Sequence, residues 1–101
     1  MDLSAVSRVM MVDPSKPIVI SAHARGRMTQ RGATLSEVEY AVRNGAWQQA
    51  EGQRWHVRHR FVFNAVSPVN QRVYTYKAVD VVLLERRNDI LVVTVKVFYQ
   101  N

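Results

Sequence analysis

His23, Arg27 and Arg31 recur at intervals of four residues, a spacing that places them in one stripe along an α-helix. Cleaving an RNA phosphodiester through its own 2′-hydroxyl takes a base for that hydroxyl, cations for the charge that builds on phosphorus, and an acid for the departing oxygen. A histidine with two arginines can supply all three. His23 falls in the first turn of such a helix, where the positive end of the dipole favours the neutral, proton-accepting imidazole. The plainer alternative makes His23 an interfacial residue bonded to backbone and the arginines solvated cations. Arg31 would then sit in the last turn for dipole reasons alone.

A second group lies further along. Arg54, His56, Arg58 and Arg60 alternate with Trp55, Val57, His59, Phe61 and Phe63, so an extended strand puts the first set on one face and the second on the other. Trp47, Tyr74, Tyr76 and Tyr99 can add stacking platforms, and basic groups interleaved with aromatics suit single-stranded RNA. An ordinary polar outer face is the bland alternative. Four such positions without an acid favour binding. His59 shares the apolar face and reads as a core histidine, mostly buried, with His56 mostly exposed. Lys77 interrupts an aromatic and apolar stretch; it either holds a phosphate or snorkels from the sheet edge. Tyr99 is an acid, a stacking platform or core. The catalytic candidates are therefore His23, Arg27, Arg31 and Lys77, and the RNA-binding candidates Arg54, His56, Arg58, Arg60 and Tyr99.

Other chemistries find less support. His56 and His59 point to opposite faces, cysteine is absent and the carboxylates are scattered, so neither a metal nor another cofactor is expected. There is no glycine-rich phosphate loop and no nucleophile elbow.

The formal net charge is +6, from 14 Lys and Arg against 8 Asp and Glu. That excess favours anionic partners. Most of the cations are Arg, whose planar fork matches phosphate. The lack of cysteine fits a reducing compartment. No segment is long and apolar enough to span a membrane as a helix, and Met1-Asp2-Leu3-Ser4 lacks the cationic start of a signal peptide. A cytoplasmic protein without membrane attachment is the expectation.

A chain of 101 residues, 48% hydrophobic, makes one domain with one core. Residues 1–16 read as an N-terminal arm and 17–101 as the domain. In the arm, Leu3, Val6, Val9 and Met10 share a helical face that Asp2 can cap, and Asp13-Pro14-Ser15-Lys16-Pro17 is a turn. Pro17–Ile20 is a short strand. Ser21 caps a helix over 22–31 that Gly32 ends. Thr34 and Glu37 form a capping box for a second helix over 35–44, ended by Gly45, whose inward stripe is Leu35, Val38, Ala41 and Val42. Strands follow at 47–50, 54–64, 72–87 (bent or bulged) and 90–99. Strands with short connections after a helical hairpin predict an α+β fold, with two N-terminal helices on one face of a twisted antiparallel sheet.

The run His23-Ala24-Arg25-Gly26-Arg27-Met28-Thr29-Gln30-Arg31-Gly32 reads H-A-x-x-R-M-x-x-R-G. With Glu37, Val38, Ala41, Asn44-Gly45, Trp55, Phe61, Tyr76-Lys77 and Val93-Thr94-Val95, it resembles a family of small bacterial domains related to the RelE/ParE toxin superfamily. The resemblance covers roughly residues 18–99 and leaves out the arm. It implies a RelE/barnase-like fold and a toxin-like, metal-independent endoribonuclease, although ParE-type members act on gyrase. It also implies RNA as substrate, in a ribosomal setting, and an acidic antitoxin protein as partner. The alternative is a non-catalytic module on the same fold that binds RNA or an acidic protein. Geometry separates the two: catalysis needs His23, Arg27, Arg31, His56, Arg58 and Lys77 on one concave surface.

Overall fold

A computed structural model describes residues 12–101; the helical face expected at Leu3–Met10 lies outside them. The order is β1 (Ile18–Ile20), α1 (Ala22–Arg31), α2 (Leu35–Asn44), β2 (Gln48–Gln49), β3 (Trp55–Val66), β4 (Val73–Glu85) and β5 (Ile90–Gln100). Both helices begin and end at the expected residues. The Ser21 hydroxyl accepts from the Ala24 N–H at 3.0 Å and donates to the Val93 carbonyl at 3.1 Å, so one side chain caps α1 and ties it to β5. Thr34 and Glu37 form the reciprocal capping box of α2.

The expected antiparallel sheet needs correcting. The five strands form a mixed sheet in the order β1-β5-β4-β3-β2, and β1 runs parallel to β5. Nor are the helices the N-terminal elements, since β1 precedes them. Hairpins make sequence neighbours antiparallel, as in β3–β4 and β4–β5. Among the described residues β1 has no neighbouring strand in sequence, because the helical hairpin follows it. It closes instead on the last strand: Ile90 N–H donates to the Pro17 carbonyl and Ser21 N–H to the Val92 carbonyl.

Alternation then sets the faces. Val57 of β3, Val79, Val81 and Leu83 of β4, and Ile90, Val92 and Val95 of β5 bury one face beneath Ala24, Met28, Val38, Ala41 and Val42 of the helices. Leu35, placed in the inward stripe on spacing alone, is half exposed. An extra residue in β3 near Asn64, at φ 46°, and Val93 in β5 shift the registers. Such bulges sharpen local twist. Among the described residues, the other face carries no helix.

Gly32 joins the helices in a left-handed conformation at a close approach to the sheet and its loops. Its φ is +83°, and an added Cβ would lie 2.6 Å from the Tyr99 hydroxyl and 2.7 Å from Pro68 Cγ. Gly32→Ala should therefore destabilise the fold by about 2–4 kcal/mol, from left-handed strain plus the displaced tyrosine. Gly26→Ala, inside α1 with nothing within 4 Å of its Cβ, should instead stabilise by about 0.5–1 kcal/mol. Urea midpoints of the two variants should move in opposite directions; movement in the same direction would contradict this account.

Candidate nucleic-acid interface

The side chains selected from sequence fall on two sides of the sheet. On the helix side, His23 is exposed early in α1. Arg27 Nη1 donates to Gln30 Oε1 at 3.2 Å. Arg31 is half buried and donates to the Val95 carbonyl at 2.8 Å, fastening α1 to β5. Lys77 lies on the same face of β4 as Val79 and Val81, 4% exposed. Its ammonium meets Glu37 Oε2 at 2.7 Å and the Gly32 carbonyl at 2.9 Å, and lies 4.9 Å from the Phe63 ring centre. It thus joins the α2 cap, the α1–α2 turn and the sheet. Tyr99 closes this cluster, donating to the Arg31 carbonyl at 2.7 Å beside Phe63 and Tyr74. Burial pushes its phenol above the usual tyrosine range, a bond with Ser67 opposes the shift, and the Glu37 charge adds to it. A raised phenol is a poorer acid at neutral pH.

His56, Arg58 and Arg60 project from β3 on the open side. Register identifies their neighbours: Val82, Asp80 and Ala78 of β4 stand across from them, and Thr94, Lys96 and Phe98 of β5 stand beyond those. The Arg58 guanidinium lies 4.6 Å from the Phe98 ring centre, and that of Arg60 lies 4.2 Å from Tyr76. Two arginine–aromatic stacks thus sit side by side across the three long strands, with the exposed Lys96 between β4 and the far edge. Such contacts restrain each guanidinium beside its ring.

Arg54 is not in this row. It precedes β3 in the turn that follows β2, near Gln53, Trp55 and Glu85. Trp47 is not a platform, because its indole N–H donates to the Val42 carbonyl and its ring packs against Trp55.

His56 and His59 point to opposite faces, yet both are half buried, so the expected contrast in exposure does not hold. His59 lies near the margin of the helix layer, between the rings of Tyr40 and Phe61. His56 is shielded on the open side, where its Nδ1 comes within 3.5 Å of Asp80.

Three participants escaped the sequence reading: Phe98, Lys96 and Asp80. The first two were legible in principle, since Thr94, Lys96 and Phe98 alternate with Val95, Val97 and Tyr99. Asp80 was not, because the face counted as free of acids takes its acid from the neighbouring strand. Arg58 Nη2 meets Asp80 Oδ2 at 3.1 Å. His23, Arg27, Arg31 and Lys77 therefore do not share a surface with His56 and Arg58.

Among the described residues, no helix is long and apolar enough to cross a membrane. Compared with known proteins, the chain matches no family model, no curated protein and no solved structure.

Proposed function

We propose that this chain is a binding module for single-stranded RNA, which lies across the open face of the sheet. The carrying observation is the pair of stacks, Arg58 on Phe98 and Arg60 on Tyr76. Each offers a fixed cation for a phosphate next to a ring on which a base can stack. Lys96 extends the cationic track onto β5, and the net charge of +6 favours approach of a polyanion. Binding without catalysis is preferred because the six residues that would have to meet in an active site lie on opposite sides of the sheet.

Affinity for a fluorescein-labelled oligouridylate should fall linearly with salt on logarithmic axes. Three engaged cations, Arg58, Arg60 and Lys96, give an expected slope of about −2. An undetectable complex at low salt would overturn the proposal. A slope near zero would place the RNA elsewhere and leave the face to an acidic protein.

A further inference from the structure

Asp80 is a carboxylate at the centre of a cationic face. Its Oδ2 takes the Arg58 guanidinium, but among the described residues Oδ1 stands alone as a buried side-chain acceptor without a hydrogen-bond partner. An acceptor left in that state costs about 1–3 kcal/mol. Facing it at 3.5 Å is Nδ1 of His56, a side chain 35% exposed. His56, with Ala46, Gln48 and Arg58, also lines a surface pocket. Gln48 stands directly across from His56 in the β2–β3 ladder.

An imidazole so placed has two states with different consequences. Neutral, it adds no charge to the pocket. Protonated, it donates from both nitrogens: Nδ1 faces the orphaned Asp80 oxygen, which leaves Nε2 for a ligand. The charged groups around it are Arg58 on its own strand, Asp80 on β4 and Lys96 of β5, which stands across from Asp80; β2 contributes the neutral Gln48. A phosphate entering the pocket adds an anion beside the imidazole and so favours its charged form.

We infer that the pocket lined by Ala46, Gln48, His56 and Arg58 is a phosphate subsite of the RNA platform, completed when His56 takes a proton and Asp80 holds the imidazolium from behind. This rests on the open face being the RNA surface. The sign follows directly: binding takes up a proton, so affinity rises as pH falls.

The test is fluorescence anisotropy with a labelled oligouridylate, whose bases do not titrate in this range, at pH 8.0 and pH 5.5 and constant ionic strength. The parent should bind on the order of tenfold more tightly at pH 5.5, the effect of one added charged contact. His56→Gln should flatten the response, although His23 and His59 remain. Proton NMR on the parent needs no variant: saturating RNA should move the titration midpoint of the His56 ring to higher pH, as linkage requires. Equal parental affinity at both pH values, a response retained in folded His56→Gln, or a His56 midpoint unmoved by RNA would each overturn the subsite. If RNA does not bind at either pH, the platform itself falls and the subsite with it.

Discussion

Lys77→Met should cost about 3–5 kcal/mol, a large part of the 5–15 kcal/mol typical of a domain. The ammonium has two partners, Glu37 Oε2 at 2.7 Å and the Gly32 carbonyl at 2.9 Å, in a setting where Lys77 is almost fully buried. Removing it leaves the Glu37 carboxylate largely out of water without a counter-charge, and that uncompensated charge dominates the cost. Lys77→Met/Glu37→Gln removes both charges. Because a Gln at the third position of α2 can still close the capping box, the double variant should recover a substantial part of the loss. Urea midpoints of the parent, both single variants and the double variant make the cycle. A Lys77→Met protein as stable as the parent but deficient in RNA binding would make Lys77 a ligand contact and contradict its place here as the pin between helices and sheet.

Arg60→Glu should weaken RNA binding on the order of 100-fold at moderate salt and flatten the salt slope by about 0.7 for the lost phosphate. Arg60 is a cleaner site for this reversal than Arg58. Arg58 is bonded to Asp80, so a glutamate there would put two carboxylates side by side and disturb the sheet itself. Arg60 faces Ala78 across the ladder and rests on Tyr76, so its reversal changes the surface with little cost to the fold. Circular dichroism would confirm the folded state. Arg60→Ala should fall between parent and reversal, because it removes a cation without adding repulsion. Unchanged affinity in a folded Arg60→Glu protein would exclude the open face as the footprint.

The local elements were legible because their causes are local. Ser21, Gly32, the Thr34–Glu37 box and Gly45 bound both helices through bonds that span a few residues. The alternation from Trp55 onward placed His56, Arg58 and Arg60 on one face of β3, because a strand has period two wherever it sits. What each side chain does was decided by residues far away in sequence. β1 became parallel because its partner is β5, about seventy residues on, and no hairpin constrained its direction. Lys77 looked like a cation for a ligand until folding brought Glu37 and Gly32 over it. The β3 face looked free of acids until the β4 register set Asp80 against Arg58. Periodicity tells which way a side chain points. Charge balance and burial depend on what packs against it, and for Lys77, Asp80 and His56 only the tertiary structure supplies that neighbour.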